Sequence, residues 1–475
     1  MLGSLLDVWR ALIDNPDLRL YLTLGWIAYV LWLGGWIVLQ KREPVATLSW
    51  LISLAALPAV GFVVYYFLGP QRIRRQRLRR QHSRGRLPQA FGPVDEAQEL
   101  ARVAQATSGL PPSSARDVRL LVDGAAKYDA LLEAIAAARR TVHLEYYIFN
   151  PDRIGTRVRD ALIERARSGV QVRLLLDAVG SSDVGSRFLR PLREAGGEVA
   201  FFHPMRLRRL WKRPWLNLRT HRKIAVIDGR VGFTGGINVT DEEDERERND
   251  AYRDLHLRLE GPVVRELELV FLEDWCYATG QTPPALPPPD AEPGSVPAQV
   301  LVSGPDSPWE AIHRAHVGAI HAARHRVWLV TPYFVPGEAA RMALTSAALG
   351  GLDVRLLVPR RSDSRIVTYA TRSYFDELLE AGVKIYQYGP RLLHTKALLC
   401  DDDLALIGSA NFDHRSFRLN FEVCVMFHDA GIAAALARVI EGEFAHAPRV
   451  RPDRARPLWR ARLPEALARL VSPVL

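Results

Sequence analysis

The sequence predicts an α/β protein in which two homologous α/β/α sandwich domains, related by a pseudo-two-fold axis, follow an N-terminal two-helix transmembrane hairpin. Three observations carry that prediction. Two long uncharged runs open the chain, β-branched apolar runs then alternate with amphipathic stretches, and one charged motif recurs at matching places in the two passes. A chain of 475 residues exceeds a single ordinary core, which favours a duplicated body.

The hairpin occupies residues 1–70. Leu20 to Leu39 is an uncharged run whose length, at about 1.5 Å per helical residue, matches a hydrocarbon core of about 30 Å. A second uncharged run, Pro44 to Pro70, is interrupted by Pro58 and carries Trp50, Tyr65 and Tyr66, residue types that favour the headgroup boundary. Gln40-Lys41-Arg42-Glu43 forms the turn. A cleaved signal peptide fits poorly, since the first run is too long, has no small-residue cleavage site and is followed by another span.

Next comes a basic cytoplasmic linker, residues 71–116. Arg72, Arg74, Arg75, Arg77, Arg79, Arg80, Arg84 and Arg86 lie between Gln71 and Ala90 with no acid among them. By the positive-inside rule they outweigh Lys41 and Arg42. The expected placement is therefore multi-pass in a bacterial inner membrane with the downstream domains cytoplasmic, and anionic headgroups are a second use for the arginines.

The formal net charge of +10 calls for a polyanionic partner, and nucleic acid and anionic lipid both qualify. Cys276, Cys400 and Cys424 have neither zinc-site spacing nor the even count of a disulfide framework, which suits a reducing compartment.

The first domain is expected over 117–281 and the second over 298–450. The helix around Leu131 to Arg140 leads into a strand at Val142 to Tyr147, just as Ile312 to Arg326 leads into Val327 to Tyr333. Val172 to Leu176 parallels Val354 to Val358, and Glu194-Ala195-Gly196 parallels Glu380-Ala381-Gly382 at an offset of 380 − 194 = 186. The final strands start at Thr220 and Leu393, with an offset between their histidines of 394 − 221 = 173. The first half therefore holds 186 − 173 = 13 extra residues between Phe202 and His221. That insert interleaves basic and aromatic residues from Met205 to Trp215, a pattern that suits either a bilayer interface or packing onto the domain. Residues 282–297, rich in proline, read as a stiff linker, and 451–475 as a basic surface-lying tail.

The recurring motif is His-x-Lys, four residues, Asp, a strand, a small-residue turn and Asn. It comprises His221, Lys223, Asp228, Gly235-Gly236 and Asn238, then His394, Lys396, Asp401, Gly408-Ser409 and Asn411. Only six of the 63 basic residues are lysine, and two of the six sit here, so chance is a poor explanation. On a strand, residues two apart project from one face, so each imidazole and its ammonium are expected to reach one spot. A metal site fails on chemistry, because an ammonium has no lone pair and repels a cation. An anion fits. A phosphodiester between the halves would meet two lysines, Asn238, Asn411 and Ser409 as donors, while one imidazole attacks phosphorus and the other protonates the leaving alkoxide.

The duplicated motif resembles the HKD signature of the phospholipase D superfamily. Lys41-Arg42-Glu43-Pro44, Glu145-Tyr146-Tyr147-Ile148-Phe149, Phe233 to Asn238 and Thr331 to Pro336 resemble the bacterial cardiolipin synthase family more narrowly, over almost the whole chain. The resemblance implies one metal-free, cofactor-free site at the domain interface. It also implies transfer of a phosphatidyl group from one phosphatidylglycerol to another through a phosphohistidine, giving cardiolipin and glycerol. It places the nucleophile at His221 and the acid, later base, at His394, although the reversed roles remain open. Asp254 and Glu422 hold the places of acids that orient the imidazoles. Asp228 and Asp401 match the motif, with a purely structural strand-end role as the alternative. Glu145 is a candidate substrate contact. The implied partners are anionic phospholipid and the membrane, with no nucleic acid. Competing readings are another phosphatidyltransferase or a phospholipase using phosphatidylethanolamine or water, a membrane-tethered nuclease, and an inactive scaffold, which two complete motifs disfavour.

Overall fold

The computed structural model describes residues 16–39, 48, 51–52, 54, 96–203, 218–282, 292–307, 309–470 and 472. The hairpin turn, most of the second uncharged run, the arginine run, the 205–215 insert and most of the proline-rich linker lie outside them.

A helix, Pro16–Leu39, covers the first uncharged run and exposes Leu20, Tyr21, Leu24, Leu31 and Trp32. Among the described residues, no helix is long and apolar enough to cross a membrane.

The strands of the body are, in chain order, β1 (Ser113–Ala115), β2 (Asp117–Val122), β3 (Thr141–Tyr146), β4 (Gln171–Asp177), β5 (Glu198–Phe202), β6 (Ile224–Ile227), β7 (Val231–Gly235) and β8 (Leu255–Glu260). The second pass supplies β9 (Val296–Ser303), β10 (Arg326–Val330), β11 (Phe334–Val335), β12 (Asp353–Pro359), β13 (Lys384–Tyr388), β14 (Ala397–Cys400), β15 (Leu404–Gly408), β16 (Phe412–Asp413) and β17 (Glu422–His428). One sheet has the order β2-β8-β7-β6-β3-β4-β5, the other β1-β9-β17-β15-β14-β10-β12-β13. Without the edge strand β1, the two orders are the same list of equivalent strands.

Chain chemistry explains the pattern. β3, β4 and β5 are parallel, joined through the helices Arg153–Arg167 and Ser186–Glu194, and parallel strands covered on both faces need unbroken apolar runs such as Leu174-Leu175-Leu176. β6 and β7 are antiparallel and turn at Asp228 (φ 55°) and Gly229 (φ 67°), residues that tolerate the left-handed backbone of a tight hairpin. Asp401 (φ 51°) begins the equivalent turn between β14 and β15.

Each sheet carries an outer helical layer. Leu131, Leu144, Val158 and Leu174 lie in the first outer core, and Ile312, Leu329, Leu344 and Leu356 in the second. The inner faces share one cluster, in which Ile224, Leu257 and Leu175 join Val300, Leu357 and Leu399 around the helices Val263–Thr279 and Ala430–Phe444. The halves thus pack inner face to inner face.

The linker expected over 71–116 is ordered structure in its described part. The helix Glu96–Ser108 packs against the helix Ala311–Ala322, and β1 pairs antiparallel with β9. Leu100 and Ala104 bury apolar side chains in the second outer core, which charge counting over the preceding arginines did not reveal. In the tail, the helix Leu463–Leu470 turns Glu465 and Ala468 inward. Trp459, Leu463, Leu467 and Leu470, recurring every three or four residues, are 76%, 37%, 56% and 77% exposed.

Candidate active site

The His-x-Lys segments do not lie on the strands, as the alternation argument expected. His221 to Lys223 precede β6, and His394 to Lys396 precede β14. Their backbone pairs instead with the opposite half. Phe421 N–H donates to the Arg219 carbonyl and His221 N–H to the Phe421 carbonyl; Arg253 N–H donates to Leu392 and His394 N–H to Arg253. These are two equivalent parallel bridges, Thr220 with Phe421 and Arg253 with Leu393. Each ties a motif to the residue just before an acid of the other half.

Those acids receive the imidazoles. His221 Nδ1 lies 3.0 Å from Glu422 Oε1 and 3.1 Å from Oε2, and His394 Nδ1 lies 2.6 Å from Asp254 Oδ2. The pairing is crossed. With Nδ1 so engaged, Nε2 is the ring nitrogen of each histidine left without a partner among the described residues. The Tyr147 ring meets His221 edge-on with centroids 5.0 Å apart, and the Tyr252 ring leans on His394 at 5.5 Å.

Both lysines are buried. Lys223 Nζ donates to the His221 carbonyl at 2.7 Å. Lys396 Nζ donates to the His394 carbonyl and lies 3.3 Å from Asp254 Oδ2 and 2.8 Å from His394 Nδ1. Burial drives the Lys223 pKa down to about 7 and lowers that of Lys396. Burial likewise holds both imidazoles below the ordinary histidine value, with Lys396 pushing in the same direction on each. Burial opposes the charge of Glu422 and Asp254 too. His221, Lys223 and Ser409 together overcome it at Glu422, and Lys396, His394 and the Leu255 N–H together at Asp254, so both carboxyls end below their usual range. Lys396 acts electrostatically on His221 and on Lys223, so the two motifs form one charge cluster.

Several expected site residues are engaged elsewhere. Asp228 accepts from the backbone N–H groups of Arg139, Arg140 and Thr141 at 2.9, 2.7 and 2.9 Å. Asp401 accepts from Arg324, His325 and Arg326 at 2.8, 2.8 and 3.0 Å. These aspartates close the far ends of β6 and β14 and do not join the cluster, because a strand that starts beside the imidazole carries its fifth residue away. Glu145, the candidate substrate contact, is fully buried beside Asp274 and accepts from Thr220 Oγ1 at 2.5 Å. Ser409 Oγ is committed to Glu422 Oε2 at 2.5 Å, so the hydroxyl supports an orienting acid rather than a ligand. The Asn238 side chain accepts from Ile148 N–H at 3.1 Å and donates to Glu243 Oε1 at 2.7 Å. Asn411, by contrast, has a buried Oδ1 without a partner among the described residues.

Two imidazole Nε2 atoms beside two buried lysines are equipment for attack on phosphorus through nitrogen. A family model described as "Cardiolipin synthase, PLD-like domain" matches residues 131–275 and 317–445. The chain belongs to this family. "Cardiolipin synthase" of Geobacillus kaustophilus (strain HTA426) is 39% identical over 498 residues, covering 100% of this chain and 98% of its own. "Cardiolipin synthase 1" of Bacillus anthracis is 35% identical, covering 100% of this chain and 98% of its own. The solved structure of phosphatidylserine synthase from Haemophilus influenzae Rd KW20, 13% identical, shares the fold with a TM-score of 0.60 over 79% of this chain and 100% of that one.

Within this family member, sequence reading passed over Tyr147, Tyr252 and Glu243. Tyr147 sat in a motif quoted only for its resemblance. Tyr252, two residues before Asp254 as Asn420 is before Glu422, was findable from that spacing. Glu243 lies five residues past Asn238, where the second motif has Ser416.

Proposed function

We propose that this chain transfers a phosphatidyl group from one phosphatidylglycerol to a second, giving cardiolipin and glycerol by way of phosphohistidine at His221. The observation that carries this reading is the crossed pair of imidazoles, each held at Nδ1 by a buried carboxylate of the other half. Held that way, Nε2 of neutral His221 attacks phosphorus as His394 protonates the departing glycerol oxygen. His394 then takes the proton of the incoming hydroxyl, whose oxygen displaces His221. Lys223, Lys396 and Asn411 are the donors assigned to the phosphate oxygens, and the bound anion favours the charged form of each lysine. Glu422 and Asp254 orient the rings.

We also infer a transmembrane hairpin over residues 1–70, in a bacterial inner membrane with the catalytic domains on the cytoplasmic side. Its support is the pair of uncharged runs, the arginine run behind them and the outward apolar side chains of Pro16–Leu39. The exposed Trp459, Leu463, Leu467 and Leu470 with neighbouring Arg460, Arg462 and Arg469 suit an anionic bilayer interface.

The test is purified full-length protein in mixed micelles of detergent and phosphatidylglycerol with a chelator present. Free glycerol and a four-chain lipid are expected in equal amounts. Phosphatidic acid in place of the four-chain lipid would make water the acceptor, and no lipid product with cleavage of short DNA would make the protein a nuclease. In the same assay the acidic limb of kcat/KM is expected below the ordinary histidine value of 6.5, because burial lowers the His221 pKa and attack needs the neutral ring. A limb well above 6.5 would contradict that assignment.

Asp228→Ala is expected to lower stability by about 2 kcal/mol, since three backbone donors lose their acceptor. Turnover per folded molecule should stay near the parent's. Thermal denaturation and glycerol release measured on the same preparation check both halves of this expectation.

A further inference from the structure

The two sides of the site share a backbone and differ in charge. At the motif offset of 173, Glu243 of the first half matches Ser416 of the second. Asn411 N–H donates to Ser416 Oγ at 3.1 Å, whereas Asn238 N–H donates to Glu243 Oε2 at 3.1 Å and Asn238 Nδ2 to Oε1 at 2.7 Å. One turn position therefore holds a hydroxyl on one side and a carboxylate on the other. A second difference lies at Gly236 and its counterpart Ser409. Ser409 caps Glu422 with its hydroxyl, and Asn420 Nδ2 donates to the same carboxylate at 3.2 Å. At Gly236 a Cβ would lie 2.2 Å from Asp254 Oδ1, so no side chain fits there to cap that carboxylate.

His221 pairs with one carboxylate, Glu422, already supplied with neutral donors, and buried Asp413 acts on that carboxylate. His394 faces two, for ligand atoms of Glu243, Asp254 and His394 all lie within 4.8 Å of one another. Such a trio has the composition of a metal site, but the Lys396 ammonium against Asp254 and His394 already supplies the cation.

We propose that Glu243, fixed by Asn238, is a positioning residue that joins Asp254 in stabilising the imidazolium of His394, making His394 the proton carrier and leaving His221 neutral for attack. This rests on the phosphatidyl-transfer reading above and deepens it. In the first step the His221 Nε2 lone pair forms the N–P bond and the P–O bond to glycerol breaks. Its electron pair stays on the oxygen, which takes the proton from His394. In the second step the acceptor hydroxyl returns a proton to His394 as its oxygen bonds phosphorus, and the N–P pair goes back to His221.

The charges around Glu243 are compatible with this role. Lys223, Lys396 and buried Lys127 face it as amines whose pKa burial lowers, to about 7 at Lys223 and Lys127, Asp254 as the other acid, and Tyr128, Tyr146 and Tyr252 as neutral phenols. Burial raises the Glu243 pKa and lowers that of His394, while Glu243 itself pulls His394 upward.

The sign of the test follows. Loss of a negative charge beside His394 makes its protonated form harder to keep, so the alkaline limb of kcat must move to lower pH. Full-length Glu243→Gln and Glu243→Asp would be compared with the parent for glycerol release from phosphatidylglycerol micelles across pH, with thermal midpoints measured in parallel. We expect Glu243→Gln to shift the alkaline limb downward, to lower kcat roughly tenfold to a hundredfold at alkaline pH, and to leave KM little changed. Glu243→Asp should restore most of the limb. If Glu243→Gln does not fold, Glu243→Asp must still move the limb the same way by a smaller amount. An unchanged profile shape, however low the activity, or a limb moving upward would overturn the proposal and leave Glu243 a structural support of Asn238. Absence of glycerol release from the parent protein would instead count against the phosphatidyl-transfer reading itself.

Discussion

His221→Ala and His394→Ala are each expected to reduce glycerol release by roughly four to six orders of magnitude, because nucleophile and acid act as a unit and the full cycle needs both. The two losses should be similar in size and different in kind. Without His221 no N–P bond can form, so no phosphatidyl group is captured. Without His394 the nucleophile remains in place beside Glu422, and capture can proceed slowly with an unassisted leaving group. Incubation with phosphatidylglycerol labelled at phosphorus, followed by alkaline quenching that preserves phosphohistidine, is therefore expected to trap label on His394→Ala and not on His221→Ala. Label on His221→Ala alone would exchange the two roles and, with them, the assignment of Glu243.

Glu422→Gln and Asp254→Asn are expected to lower kcat by about 10³ to 10⁴, by analogy with the loss seen when a carboxylate behind a catalytic imidazole becomes an amide. An amide keeps the size of the acid and can present its NH2 group to Nδ1, which then accepts, putting the proton on Nε2 and removing the lone pair that must reach phosphorus. Glu422 is the more exposing case because Ser409 and Asn420 remain to hold the side chain, so the geometry should survive while the charge is lost. Asp254→Asn also leaves Lys396 without its carboxylate partner in a buried site, and a lower thermal midpoint should accompany the kinetic loss. Turnover within tenfold of the parent for both variants would mean that the crossed carboxylates are structural pairings with no part in the chemistry.

The duplication was legible because it repeats both a hydrophobic rhythm and a rare residue. The strand Val142 to Tyr147 was expected and β3 spans Thr141–Tyr146; Val172 to Leu176 lies within β4. Alternation alone misled at His221 and His394, whose backbone bonds go to the other half rather than to a neighbouring strand. A period-two pattern describes side chains and says nothing about which chain accepts the N–H. Asp228 and Asp401 illustrate a related limit. Regular spacing from the histidine made them look like partners in catalysis, yet the same spacing follows from a strand of fixed length ending in a turn that needs a carboxylate acceptor.

Glu145 stands opposite Ile224 in the first sheet, while the equivalent position opposite Ala397 is the apolar Val330. Both are interior sites; at Glu145 burial and Asp274 oppose the charged acid, while the Arg222 guanidinium and the Thr220 hydroxyl favour it.

From sequence alone came the family and its reaction, and the proposal of two histidines and two lysines as the site, since these depend on residue type and on spacing along one chain. The crossing of acids to imidazoles and the crowding of Glu243 onto His394 were decided by packing between the halves, and the engagement of Ser409, Asp228 and Asp401 by contacts within each half. The physical reason is that a hydrogen bond joins atoms brought near by the whole fold: Glu422 and His221 are 201 residues apart and Asp254 and His394 are 140 apart, distances over which local pattern carries no register.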